Sequence, residues 1–404
     1  MKRFTLRLIF LCIVLLCLSS ACPFVSAEEE AKLPTVAIRA ESLSDWSGKS
    51  DIREATLTYS DPNTGRMFVS PITIRPQGTS SLGYDKKNFT IVMQDDGVEM
   101  QPGWGVQTEY CLKANYIDPT HSGNVVSARL VGQMNESTGL FEGLPNRGAI
   151  DGFPVWVTLN GEDAGLYTWN IPKSGWMFGM DEENPHHIVM CGENWSDGSA
   201  LYDACFYLNE DWSIEFGPET SGTIVKFARL TDFIANSSDE EFIKNFDQYL
   251  NLDACLNYYC FMCISSAHDN AAKNMLMVTW DGQIWQPMLY DLDSLWGIDY
   301  TGMDFTTSYA LNLAYNSGNR LFERILEHFR PQLNERYALL RGGVLSTENI
   351  LSAFSQFAAS IPADALEKDH QMWNPDGVFI RTHELMEQQI NIYLPRIDTA
   401  FGYR

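Results

Sequence analysis

Apolar and polar residues alternate with a period of two along much of the first half of the chain. Thr35-Val36-Ala37-Ile38, Ala55-Thr56-Leu57-Thr58-Tyr59, Phe68-Val69-Ser70, Ile72-Thr73-Ile74 and Asn88-Phe89-Thr90-Ile91-Val92 are rich in β-branched and aromatic residues, the composition of half-buried strands. Asp61-Pro62-Asn63-Thr64-Gly65 breaks this pattern as a turn, and Asn160-Gly161 separates two apolar runs as a hairpin turn. One helix is expected over residues 122–134. Residues 35–173 therefore read as a mostly antiparallel sheet.

From about Thr223 the period lengthens. Ser238-Asp239-Glu240-Glu241 has the form of a capping box, and Phe242, Phe246, Tyr249 and Leu250 follow at helical spacing. Further helices are expected over 252–266, 319–329, 332–341, 347–360 and 382–394. The pattern predicts an α+β protein with a sheet-rich lobe followed by a helix-rich lobe. A cleft between two such lobes is a natural place for a ligand.

Composition narrows the setting. Lys2, Arg3 and Arg7 precede an apolar run that closes on Val25-Ser26-Ala27, the layout of a secretory signal peptide cleaved after Ala27. Cys22 offers a competing reading as a lipoprotein cysteine, but Ser19 stands where a lipobox wants Leu. No later apolar run approaches the ~20 residues of a membrane span. The formal net charge of −24 disfavours nucleic acid and anionic lipid as partners. Cys111, Cys191, Cys205, Cys255, Cys260 and Cys263 follow the leader at low density. Cys255, Cys260 and Cys263 read as buried thiols of one helix, and export leaves disulfides open for the set.

Between the 252–266 helix and the tail lies Ala267-His268-Asp269-Asn270-Ala271-Ala272-Lys273-Asn274, then an apolar run, the turn Asp281-Gly282, a second run, and Tyr290-Asp291-Leu292-Asp293-Ser294-Leu295-Trp296-Gly297. A hairpin brings its outer ends together, so Asp269 and Asn274 are expected to face Asp291 and Asp293. Phosphoryl transfer needs such a set: a carboxylate for the attacking hydroxyl, and Asn and Asp oxygens for Mg²⁺ or Mn²⁺ on the phosphates. The Asp-x-x-x-x-Asn spacing of Asp269 and Asn274 is that of a protein-kinase catalytic loop. Asp and Asn also form turns, so Asp269, Asn270 and Asn274 admit a purely local role. Asp291 and Asp293 have Leu and Trp neighbours, and a carboxylate drawn into apolar surroundings wants a cation. Asp118 reads as a helix cap, His186-His187 as a surface loop, and His268 as a loop-stabilising residue.

Four segments in order resemble the spore coat protein H (CotH) kinase family: Ile74-Arg75-Pro76-Gln77-Gly78-Thr79-Ser80-Ser81, Lys86-Lys87-Asn88-Phe89-Thr90-Ile91, Asp269 to Asn274, and Tyr290 to Gly297. The resemblance implies an exported atypical kinase with a protein-kinase-like two-lobed fold. It implies a signal peptide at 1–27, a sheet-rich nucleotide-binding lobe at 28–180 and a helical lobe at 181–404. Such a protein would transfer the ATP γ-phosphate to Ser or Thr of protein substrates at the cell surface or spore coat, with Mg²⁺ or Mn²⁺. Carried over, Arg75, Gly78, Thr79, Ser80 and Ser81 would lie over the phosphates and Lys87 would contact them, with Lys86 as the other choice. Asp269 would be the catalytic acid-base residue, and Asn274, Asp291 and Asp293 the metal ligands. The chain departs from the family where a Glu usually follows the Gly-x-Tyr strand to pair with the lysine: Gly165-Leu166-Tyr167 runs on to Lys173 without an acid. That departure favours a second reading, a non-catalytic coat or cell-surface structural protein on the same fold.

Overall fold

Strand after strand, the first half closes on itself. The computed structural model describes residues 32–303 and 312–404, so the signal-peptide segment lies outside the described residues. Strands β1 (Thr35–Arg39), β2 (Arg53–Ser60), β3 (Met67–Gln77), β4 (Asn88–Met93), β5 (Glu109–Lys113), β6 (Gly152–Leu159) and β7 (Glu162–Asn170) form a barrel in the order β1-β2-β3-β4-β5-β7-β6. All neighbours are antiparallel except β1 and β6, where Thr35 lies opposite Trp156 and Ile38 opposite Leu159 in parallel register. The sequence pattern predicted β1 to β4 and the β6–β7 hairpin. It did not predict this closure, because pairing β1 with β6 joins segments with no shared local signal. The first sheet is thus a closed barrel rather than the open sheet of a kinase-like lobe, while the mixed α+β class stands.

The period-two pattern sorts side chains between the two faces of the barrel wall. Ile38, Leu57, Ile74, Ile91, Leu112, Val155 and Trp169 fill the interior. The opposite face of β3, β4, β5 and β7 carries a row set by register: Arg75 opposite Thr90, Thr90 opposite Cys111, and Cys111 opposite Asn170. Gln77, Asn88, Lys113 and Thr168 form the next row. This polar face positions the barrel's share of the site.

A second sheet follows, ordered β11-β10-β8-β9, from β8 (Ile188–Gly192), β9 (Trp212–Phe216), β10 (Met275–Thr279) and β11 (Gln286–Leu289). Around it lie α1 (Gly123–Ser137), α2 (Ser221–Asn236), α3 (Asp239–Asn245), α4 (Leu252–Ser265), α5 (Arg320–His328), α6 (Arg330–Arg341), α7 (Thr347–Ala359), α8 (Ala363–Trp373) and α9 (His383–Ala400). Caps set several helix starts: Ser238 and Glu241 bond reciprocally as the expected capping box, and Asn319, Ser346 and Thr382, not singled out in the sequence, accept from the first turns of α5, α7 and α9. Helix α4 is apolar almost all round, and every residue from Ala254 to Ser265 is buried, which makes it the central helix. Helix α8 has no counterpart in the predicted elements. The six cysteines are free and buried, so no disulfide joins these elements. Among the described residues no helix is long and apolar enough to cross a membrane.

Candidate functional site

Helix α4 stops where Ser266 turns left-handed, at φ 63°. The chain then makes one short turn over Asp269–Ala271 before entering β10. Asn274 is also left-handed, at φ 61°, and its amide donates to the Gly192 carbonyl at 2.9 Å. After the β10–β11 hairpin, Asp291 takes φ 58° and Trp296 φ 61°. Non-glycine residues in this region carry strain, and such residues cluster at functional sites. Here they sit on the two loops that the sequence singled out.

The loops are tied to each other and to their surroundings. Asn270 Nδ2 donates to the Tyr290 carbonyl at 2.8 Å, and the Tyr258 hydroxyl of α4 donates to the Asn270 carbonyl at 2.7 Å. The Leu292 amide donates to Asn124 Oδ1 at 3.1 Å, and the Trp296 indole donates to Ser127 Oγ at 2.9 Å, so α1 backs the acidic loop.

The electrostatics show that the predicted acids share one environment. Burial, followed by the charges of Asp291 and Asp269, pushes the Asp293 carboxyl up to about 7, against a bond from Ser294 and the Lys113 cation. Burial also raises Asp269, with Asp291 adding to it and Trp195, Lys273 and His268 opposing. Tyr84 is raised by burial and then by Asp293. Tyr84 ends the turn that follows Gly78-Thr79-Ser80-Ser81, so that turn lies beside the acidic loop. Hard oxygen donors crowded enough to hold protons against one another suit a divalent cation, which relieves the repulsion that the protons otherwise relieve.

The cations differ from the expectation. Of the adjacent lysines, it is Lys86 that points inward. Its Nζ donates to Asp369 Oδ1 at 2.7 Å and to the Leu166 carbonyl at 2.6 Å, with the Tyr167 ring 5.0 Å away. Lys87 instead donates to the carbonyls of Leu82 and Tyr84 and closes the Gly78 turn. Neither ammonium is open to a phosphate. The cation facing Asp293 is Lys113, and Arg75 lies on the same barrel face, where it tempers the raised carboxyl of Glu109. The strand period had a signal for Lys113, since Glu109, Cys111 and Lys113 must share a face.

Asp369, on α8, is the lysine partner that the sequence did not reveal. Its Oδ2 meets His121 Nε2 at 2.9 Å, and its Oδ1 also accepts from the Leu166 amide at 2.7 Å. Gly165 makes this approach possible: a Cβ there would stand 2.2 Å from Asp369 Oδ1. Burial favours the neutral form of Asp369, but His121 and Lys86 outweigh it and hold the carboxyl well below the usual range. Burial pulls Lys86 down to about 8 against Asp369, which leaves the pair charged at neutral pH.

A second tie starts from Arg381, a fully buried side chain. It lies 3.3 Å from Asp118 Oδ2 and donates to the carbonyls of Asp293 and Leu295. Asp118, predicted as a cap, does accept from the Gly123 amide at the start of α1, at 2.7 Å. It therefore links α1, Arg381 and the acidic loop. Nothing local in the sequence marks Asp369 or Arg381, because their partners are distant in the chain.

Two other clusters bear on metal binding. Asp239, Glu327 and His328 place ligand atoms within 4.8 Å of one another, the only such trio of His, Cys, Asp and Glu among the described residues. Arg324 already donates to Asp239 at 3.0 Å there, supplying the positive charge. The acids of the two loops are less tightly gathered than this trio. His187 accepts from the Asp181 amide at 2.8 Å in a surface turn, consistent with the loop reading.

A family model described as CotH kinase protein matches residues 206–393. The matched segment contains Asp269, Asn274, Asp291, Asp293, Asp369 and Arg381; the barrel and Lys113 precede it. No curated protein matches the chain.

Proposed function

We propose, from the premise that residues 206–393 match the CotH kinase family model, that the chain is an exported kinase that phosphorylates Ser or Thr of protein substrates. The observation that carries this reading is the shared field of Asp269, Asp291 and Asp293 opposite Lys113. The barrel presents Arg75 and Lys113 to the phosphates of ATP, with the Gly78-Thr79-Ser80-Ser81 turn beside them. The loops on either side of the β10–β11 hairpin present the acids.

In this mechanism Asp269 accepts the proton of the substrate hydroxyl. The hydroxyl oxygen bonds to the γ-phosphorus, the bond to the β,γ-bridging oxygen breaks, and ADP leaves. Asn274, Asp291 and Asp293 would hold Mg²⁺ or Mn²⁺, which when bound offsets phosphate charge. Arg381 and α1 fix the Asp293 loop, while Asn270 and Tyr258 fix the Asp269 loop, so both faces of the transfer are held in place beforehand. The reading includes export by the leader and substrates at the cell surface or spore coat.

Labelled ATP with Mn²⁺ or Mg²⁺ should label the mature protein or a protein partner, and Asp269→Ala and Asp291→Ala should abolish the label. Undiminished labelling by both variants rules the assignment out. The engagement of Lys86 and Lys87 within the barrel favours a second reading, a non-catalytic coat or surface protein. That reading requires that ATP with metal leave the melting temperature unchanged, since a bound ligand stabilises by mass action.

A further inference from the structure

The connection between β8 and β9 runs from Glu193 to Asp211 beside the Asp269 loop, and it is held rigidly. The Glu193 amide donates to the Asp211 carbonyl at 2.8 Å, and Ser199 Oγ donates to that carbonyl at 2.9 Å. Ser196 Oγ bonds Asp211 Oδ1 at 2.5 Å, and the Trp212 indole donates to the Gly198 carbonyl at 3.0 Å. Despite this order the connection exposes large apolar groups: Trp195 is 47% exposed, Phe206 64% and Tyr207 69%. Glu193, Asp197, Asp203 and Glu210 are exposed along the same stretch. Single apolar residues on a surface need no explanation, but several on one connection that also exposes four acids mark an interaction site.

Trp195 connects this surface to the chemistry. Its indole N–H donates to Asp269 Oδ1 at 3.2 Å, and its ring stacks on His268 with centroids 4.7 Å apart. One face and edge of the indole are thereby committed to the catalytic loop, which leaves the remainder to solvent.

We propose that residues 193–211 form the docking surface for the acceptor protein, and that the occupant is a cationic segment with an aromatic or aliphatic residue next to the Ser or Thr. The proposal rests on the kinase reading and adds to it the class of substrate. Charge complementarity selects the occupant: exposed acids attract Lys and Arg, and aromatic rings bind both cations and apolar side chains. Trp and Tyr are the residues most often found as binding hot spots. Trp195 is a positioning residue as well, because a bond to Oδ1 fixes the carboxylate that meets the docked hydroxyl.

The test uses the mature protein and a labelled synthetic peptide with one Ser between two Phe and flanked by Lys, followed by fluorescence anisotropy. The wild type should bind this peptide and reject the counterpart with Glu in place of Lys. The triple variant W195A/F206A/Y207A and the double variant D197K/D203K should each weaken binding by about tenfold or more, with the ATP-dependent thermal shift unchanged. W195F keeps the ring and loses the donor, so peptide KM should stay and kcat should fall. Equal binding of the two peptides, no binding by the wild type, or unchanged affinity in both multiple variants overturns the proposal. Binding with the expected losses but no phosphoryl transfer keeps the docking surface and removes the kinase reading. Transfer to the peptide that the variants leave intact does the reverse.

Discussion

Lys86 and Asp369 are 283 positions apart in the chain, yet their side chains meet at 2.7 Å with 1% and 5% of their surface exposed. The pair joins the mouth of the barrel to α8. Removing one partner leaves the other charge buried, which in comparable cases costs about 3–5 kcal/mol. Asp369→Ala and Lys86→Met should each lower the urea midpoint by a corresponding amount. The double variant K86M/D369L should recover part of the loss, since it leaves neither charge uncompensated.

The same carboxylate sets a pH dependence. Asp369 and Asp118 both have folded pKa values below the ordinary 3.8. Their contribution to stability is therefore complete above that value and is lost as pH falls below it, where the unfolded chain takes up the proton first. Unfolding followed from pH 6 to pH 3 should show wild type losing stability more steeply than Asp369→Asn.

Asp293 has the opposite sign. Its folded pKa is raised to about 7 from 3.8, so in metal-free protein its contribution favours folding at low pH and is lost as pH rises toward 7. Asp293→Asn should flatten this fall and should be at least as stable as wild type at pH 7.5 without metal. Adding Mn²⁺ should raise the melting temperature of wild type at that pH and leave Asp293→Asn and Asp291→Ala unmoved.

Gly192 stands against the catalytic loop, where a Cβ would come within 2.3 Å of the Ala272 carbonyl oxygen. A backbone atom cannot swing aside as a side chain does. Gly192→Ala should displace the Asp269–Asn274 loop and cost about 1–3 kcal/mol, with the metal-dependent thermal shift reduced or lost. A neighbouring change at Asn194 should leave that shift in place.

The thiols give a chemical check of the packing. Burial raises Cys111 to about 11 and Cys191 to about 12. The thiolate is the reactive form. The native protein should resist alkylation at pH 8, and all six thiols of the mature chain should react once it is unfolded.

What the sequence made legible was local. The Asn160-Gly161 hairpin, the Ser238 capping box and the spacing of Asp269, Asn274 and Asp291 about one hairpin all depend on residues close in the chain. The barrel closure escaped notice because β1 and β6 meet in parallel, without a turn between them to betray the pairing. The lysine's partner escaped for the same reason: Asp369 sits on α8, a helix whose weak apolar pattern gave no sign that it seats against β7. Two adjacent lysines could not be told apart until the fold showed Lys87 bonded to its own turn. Lys113 was available from strand alternation, whereas Trp195 comes from a connection with no period at all.

Arg381 gives the site a place in time. Its guanidinium binds the carbonyls of Asp293 and Leu295 and lies against Asp118, so the loop that would hold the metal takes its shape only after the segment bearing Arg381 has docked. In a chain made from its N-terminus forward, Asp293 is in place 88 residues before Arg381 is added. A truncation before α8 should therefore yield barrel strands and acidic loops without that clamp, and should lose the metal-dependent thermal shift.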